Sequence, residues 1–182
     1  MENKNKEDWI NKGYELVAEV GFDTVNIEYL SRFMNKNKSS FYHYFGDLNR
    51  FTQELLDRHI SNSNEFAEKM GNCVSINPDL LNLAIEHKSD IFFHKQLRIN
   101  RNRTQFKETF QIAFSNYENA VIHQWAAFFG MEKNLQFVRT FIHFFTENLL
   151  LKATFESFTF PWLEEYLEEL ATMMKQIDPG TK

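Results

Sequence analysis

Apolar residues recur at steps of three and four along most of the chain, and polar breaks divide them into runs. Ile10, Tyr14, Val17 and Val20 share one helical face, which predicts a first helix over residues 8–20. Gly21 follows as the left-handed residue that ends it. Thr24 is placed to cap a second, short helix carrying Ile27, Leu30 and Met34 on one side. The break Asn35-Lys36-Asn37 holds two residues that tolerate positive φ. A third short helix is expected over 38–45, with Phe41 and Phe45 one turn apart on its inner side; Gly46 stops it and Asp47 can cap the next. Residues 48–70 read as a long fourth helix whose buried stripe is Phe51, Leu55, Phe66 and Met70, ended by Gly71 and Asn72.

A loop then leads to Asn77-Pro78, a cap followed by proline at the first helical position. A fifth helix is expected over 78–93, and the basic stretch 94–103 is expected to form a short sixth. In the seventh, Phe106, Phe110, Phe114, Tyr117, Val121, Trp125 and Phe128 step by three or four, and Gly130 closes it. Residues 132–155 and 161–177 predict the last two. The fold class expected is all-α with about nine helices, without repeats, low-complexity tracts or strands. Two domains are expected: 1–50, and 51–182 with helix 48–70 as the connection.

Composition supports this picture. Six Gly and three Pro in 182 residues leave few tight turns for a sheet. At 43% hydrophobic and 25% charged the chain is ordinary for a globular protein, so disorder is expected only at 1–7 and 178–182. Twenty Phe, most of them after residue 90, load the second half with large rings to bury. One cysteine, Cys73, excludes an internal disulfide and fits a reducing compartment. The start is polar, without a secretory core, and no apolar run reaches the roughly 20 residues of a membrane helix. A soluble, cytoplasmic protein is expected, with no membrane partner.

A net charge of −5 argues against a general nucleic-acid binder. Local charge differs: between Ser31 and Arg50, Arg32, Lys36, Lys38 and Arg50 face one negative residue, Asp47. Three short helices with breaks at 21–23 and 35–37 form a helix-turn-helix pattern, in which the second helix of the pair enters the major groove and its partner braces it. The third helix suits entry. Lys38 can neutralise a phosphate or reach a guanine edge, Ser39 and Ser40 can bond to phosphate or base, and Tyr42 and His43 can donate to phosphate. Thr24, Lys36 and Asn37 complete the candidate DNA-binding set. The same residues also fit a solvated polar face on a small helical bundle.

The string over residues 10–51 resembles the N-terminal domain of the TetR (tetracycline repressor) family. Three stretches carry the likeness: Leu16-Val17-Ala18-Glu19-Val20-Gly21-Phe22, then Thr24-Val25, then Lys38-Ser39-Ser40-Phe41-Tyr42-His43-Tyr44-Phe45, with Phe51 where a leucine is usual. Three positions depart from the family pattern. Met34-Asn35-Lys36 replaces the usual Ala-Gly-Val; asparagine can take the glycine's conformation at modest cost, and Lys36 is expected to point outward, toward DNA. Leu48 stands where a lysine is common, which puts one phosphate contact in question.

The resemblance implies a ligand-responsive regulator, of repressor type, that binds a palindromic operator in double-stranded DNA as a homodimer. It also implies that the C-terminal helices dimerise and enclose a small-molecule pocket. Candidate interface residues are Phe137, Phe141, Phe144, Phe145, Leu149, Leu163, Tyr166, Leu167 and Leu170; the alternative is that these rings fill one subunit's core. Candidate pocket walls, suited to a small apolar or aromatic ligand, are Phe92, Phe106, Phe110, Phe114, Tyr117, His123 and Trp125, and helical spacing fits a plain core equally. The basic stretch Lys95, Arg98, Arg101, Arg103 and Lys107 reads as a solvated face or as a site for an anionic ligand or partner. No phosphate loop, nucleophile elbow, metal-ligand spacing or carboxylate pair stands out, so no enzyme, catalytic residue, metal or cofactor is expected. The other functional reading is a binding protein of the same fold that recognises a small molecule or a protein without regulating DNA.

Overall fold

Helix α1 (Glu2–Val20) and helix α4 (Leu48–Gly71) meet where α1 has no side chain. A methyl group on Gly13 would stand 2.3 Å from the ring tip of Phe51, so glycine is what lets that ring lie against α1. Between them the chain forms α2 (Ile27–Phe33) and α3 (Lys38–Phe45). A wide turn, Ile76–Leu80, then leads into α5 (Leu81–Glu86), α6 (Lys88–Ile99), α7 (Thr104–Phe129), α8 (Leu135–Lys152) and α9 (Phe160–Ile177). This computed structural model describes residues 2–177; among them there are nine α-helices and no strand. No helix among the described residues is long and apolar enough to cross a membrane.

The expected elements are present, with corrections at their ends. Helix α1 begins at Glu2, six residues before the expected start, so residues 2–7 are helical where disorder was expected. Lys6 pairs with Glu54 at 2.7 Å and Arg58 pairs with Glu7, which ties this polar turn to α4. The expectation of disorder at 178–182 falls outside the described residues. Helix α2 is capped by Asn26, whose Oδ1 accepts from Tyr29 N at 2.9 Å; Thr24 is not the cap. Ser75, not Asn77, caps the turn before α5, with Asp79 accepting from its backbone N–H in return.

The expected fifth helix is two. It breaks at His87 (φ −96°, ψ 25°), and α6 runs on through the basic stretch to Ile99 because Phe92, Phe93, His94 and Leu97 continue one buried stripe. Residues 100–103 form a turn and not a helix of their own. Helix α8 is shorter than expected at both ends. Asn134 caps it by accepting from Phe137 N, and after Lys152 the extended Ala153 and the reciprocal Thr154–Ser157 hydrogen bonds leave the helical path.

By compactness the chain divides into two units: Met1–Asn64 with Ser89–Ala113, and Glu65–Lys88 with Phe114–Lys182. The first encloses Trp9, Leu30, Phe41, Phe45, Phe51, Leu55, Phe93, Leu97 and Phe106, all nearly or fully buried. In the second, Phe141, Tyr166, Leu170 and Met174 form a buried cluster with Phe129, Phe137, Phe145 and Trp162 packed on it.

The first unit also buries a polar chain. Tyr14 of α1 donates to Asp90 of α6 at 2.8 Å, and its hydroxyl lies 2.6 Å from His59 Nδ1 of α4. His59 Nε2 in turn lies 3.2 Å from His94 Nδ1 of α6, and Asn62 donates to the same Asp90 oxygen. A hydroxyl has one proton, so Tyr14, having donated, must accept from His59 Nδ1–H. His59 Nε2 is then an acceptor, and His94 Nδ1 carries the proton between the rings. Both imidazoles are neutral in this arrangement. Burial pushes His59 down to about 4 against the opposing pull of Asp90, and burial together with His59 pushes His94 well below the usual histidine range.

The buried histidines and the Gly13 contact each have a measurable consequence. Both histidines titrate at about 6.5 in the unfolded chain and lower in the fold, so the unfolded state takes up protons first as pH falls. Stability is complete above about pH 6.5 and declines toward pH 4, by roughly 3 kcal/mol for His59 alone. Urea unfolding at steps from pH 7.5 to 5 checks this, and His59→Gln should flatten the slope whatever it does to the absolute stability. Separately, Gly13→Ala should lower the unfolding free energy by about 1–3 kcal/mol through overpacking, and Phe51→Leu in the same chain should recover part of that loss.

Candidate nucleic-acid interface

The turn between α2 and α3 depends on one backbone conformation. Asn35 takes φ 51°, the left-handed region that asparagine tolerates better than other side-chain-bearing residues. Its neighbours close the turn: Met34 N–H donates to Leu30 O and Lys36 N–H to Ser31 O, both at 2.9 Å. Asn37 then caps α3, its Oδ1 accepting from Ser40 N at 2.9 Å and from the Ser39 hydroxyl at 2.7 Å. On the inner side of α3, Phe41 and Phe45 lie 5.0 Å apart, and both rings meet Phe51, at 5.1 and 4.8 Å. Trp9 sets its edge against Phe41 and donates its indole N–H to Ser40 Oγ at 3.4 Å.

The candidate residues therefore divide by role. Lys38, Ser39, Tyr42 and His43 lie on the exposed side of α3, with Tyr42 52% exposed. Asn37 and Ser40 hold the helix start and its seat against α1, so their polar atoms serve the fold first. Thr24 is exposed in the turn before α2.

Lys36 does not stand outward as expected. Its ammonium pairs with Asp8 at 3.1 Å and lies 5.9 Å from the Trp9 ring centre, so a lysine in a usually apolar place is turned back along α1. Lys38 pairs with Glu28 of α2 at 3.4 Å. Such exposed pairs contribute at most about 1 kcal/mol, so a phosphate can replace either carboxylate at little cost.

Arg32 and Arg50 read in the sequence as local charges and not as site residues. Both are exposed, and among the described residues no carboxylate pairs with either. Arg50 sits in the first turn of α4, its backbone N–H held by Asp47 at 2.8 Å, two residues beyond the half-buried Leu48. Phe33, at the end of α2, is 55% exposed and stacks on Tyr29 at 6.5 Å. The signal for both arginines was the local charge count itself.

The other candidate sets fall within separate units. In the first, Phe92 and Phe106 are buried, and Phe110 stacks on His94 at 4.1 Å. In the second, Trp125 is buried against Phe129 and Phe145, Phe114 meets His143 edge-on, Tyr117 meets Phe66, and His123 is exposed to solvent. Of the candidate interface residues, Phe141, Leu163, Tyr166, Leu167 and Leu170 are buried inside the second unit of the chain itself. Phe137, Phe145 and Leu149 are half-buried there, and Phe144 is 58% exposed.

Charge is unevenly shared. The first unit has thirteen Lys and Arg against twelve Asp and Glu, while the second has seven against thirteen. The unit that holds α2 and α3 is thus formally +1 and the other −6. No family model matches the chain, and neither a curated protein nor a solved structure matches it.

The turn can be checked without any ligand. Asn35→Ala should lower the unfolding free energy by about 1 kcal/mol, because alanine bears the full left-handed cost, while Asn35→Gly should leave it within a few tenths. Chemical denaturation of the three proteins side by side makes the comparison.

Proposed function

We propose that this chain is a DNA-binding transcriptional regulator, with α3 inserted in the major groove and α2 lying across the backbone. The observation that carries the reading is the division of α3 into two faces. Phe41 and Phe45 anchor it on Trp9 and Phe51, and the opposite face offers Lys38, Ser39, Tyr42 and His43 to a partner. A groove-reading helix needs such rigid support, because base contacts discriminate only when donors and acceptors are held in place. Beside it Arg32 and Arg50 supply cations that have no carboxylate partner among the described residues, and Arg50 can take over the phosphate contact that Leu48 does not make. The resemblance to the TetR family adds the rest of the proposal: a homodimer on a palindromic operator, repression, and control by a small apolar or aromatic ligand in the C-terminal helices.

A second reading, a binding protein of the same fold that does not regulate DNA, is favoured by one observation. Lys36 and Lys38 already have carboxylate partners within the chain.

Selection of bound duplexes from a random pool separates the two. A DNA regulator enriches a two-fold symmetric site, and Tyr42→Ala and Lys38→Ala each reduce affinity for it by roughly tenfold, in line with about 1–3 kcal/mol for a hydrogen bond to a charged group or a base edge. Binding should weaken steeply with salt. Absence of any enriched sequence at low salt, with protein shown to be folded, rejects the DNA reading and leaves the binding protein.

A further inference from the structure

The largest concentration of positive charge in the chain lies outside the helix-turn-helix. Lys95, Arg98, Arg101, Arg103 and Lys107 fall in one stretch, and no Asp or Glu occurs from residue 91 to residue 107. Lys95 and Arg98 belong to the end of α6, Arg101 to the following turn, Arg103 to the residue before α7, and Lys107 to its first turns. Arg101, Arg103 and Lys107 are exposed, and among the described residues no carboxylate pairs with any of the three. Elsewhere in the same unit, Lys6, Lys12, Lys36, Lys38 and Arg58 each have a carboxylate partner.

A solvated face that merely balances acidic helices would not place its cations this way. Arg103 and Lys107 sit at the start of α7, the positive end of a helix, where a cation is disfavoured by a few tenths to about 1 kcal/mol. Among the described residues neither charge is paired, and the backbone helps neither.

The turn is also fixed against the helix-turn-helix. The Arg103 guanidinium lies 5.2 Å from the centre of the Phe106 ring. Phe106 is fully buried and meets Phe22 edge-on at 4.6 Å and 88°. Phe22 belongs to the α1–α2 turn, two residues before Thr24, and Phe93 of α6 meets the same ring at 5.4 Å. Next to it, Gln96 lies so close to Gly21 that a methyl group there would stand 2.9 Å from its Oε1. The cations are thus seated one ring away from the turn that leads into α2.

We propose that the α6–α7 turn is a second phosphate-binding surface, whose Arg101, Arg103 and Lys107 contact the backbone of duplex DNA outside the base pairs read by α3. The inference rests on the DNA-binding reading above and extends its footprint. Arg101 and Arg103 stand in the turn and Lys107 in the first turns of α7, a spread along the chain that suits a linear polyanion better than a compact anion. Exposed Asn102, Thr104 and Gln105 stand among them as neutral donors of the kind that bond to phosphate oxygens. Phosphate contacts add affinity and salt dependence without base preference.

The test uses the full chain and the site recovered by selection, on two duplexes: one limited to that site and one extended by about a helical turn, roughly ten base pairs, on each side. The wild-type chain should bind the extended duplex at least about tenfold more tightly, with a steeper salt dependence. Arg101→Ala, Arg103→Ala and Lys107→Ala combined should remove that gain and lower the salt slope by about 0.9 for each phosphate no longer neutralised. Affinity for the short duplex and the preferred sequence should stay as they were. Arg101→Lys with Arg103→Lys should retain most of the gain, which separates removal of charge from a disturbed turn. If the triple variant equals wild type on both duplexes, the second surface is refuted and DNA recognition by α3 stands. If the wild-type chain, folded and at low salt, binds neither duplex, the DNA reading fails and takes this inference with it.

Discussion

The close approach of Phe51 to Gly13 is the interaction on which the first unit depends. A ring from α4 lies directly on the backbone of α1, and Phe41 and Phe45 of α3 pack on that ring at about 5 Å. Trp9 closes the group from α1. Four large side chains thus hold an eight-residue helix whose own backbone hydrogen bonds could not keep it formed in water. The exposed side of α3 is ordered because its buried side has no freedom. Aromatic pairs set edge to face give the seat a geometry as well as an area, since such rings resist rotation and sliding once packed.

Polar groups in the same unit meet the opposite constraint. Tyr14, His59, Asp90 and His94 are all nearly buried, and each would be costly there alone. Joined in one directional chain they satisfy one another and tie α1, α4 and α6 together. Burial holds both imidazoles in their neutral forms, which suits them to the interior. The geometry that makes the links specific also makes them sensitive to any proton that would turn a ring nitrogen from acceptor into donor.

Charge at the surface is organised by pairing more than by total. Lys36 lies in the turn before α3 and Lys38 at its start, and they are held by carboxylates of α1 and α2 respectively. Among the described residues, Arg32, Arg50, Arg101 and Arg103 have no such partner. The acidic excess of the chain falls in the second unit, and the first is close to neutral.

Much of this was legible in the chain before any coordinate. Helical spacing marked the positions of the helices, α3 has the bounds expected for it, and asparagine at position 35 takes the left-handed conformation expected of it. These features are local: a period, a cap or a sterically tolerant residue acts over one or two turns, so neighbouring residues suffice to read them. The ends of α1, α6 and α8 were not legible, because helices continue or stop according to what their end residues can pack on or pair with. Nor was the choice of Asn26 over Thr24 as a cap. The inward turn of Lys36 toward Asp8 and the buried chain from Asp90 to His94 join residues far apart in sequence. Charge and polarity are written in the residue types, but whether a charge finds a partner depends on distance, and distance between remote residues exists only once the helices have packed.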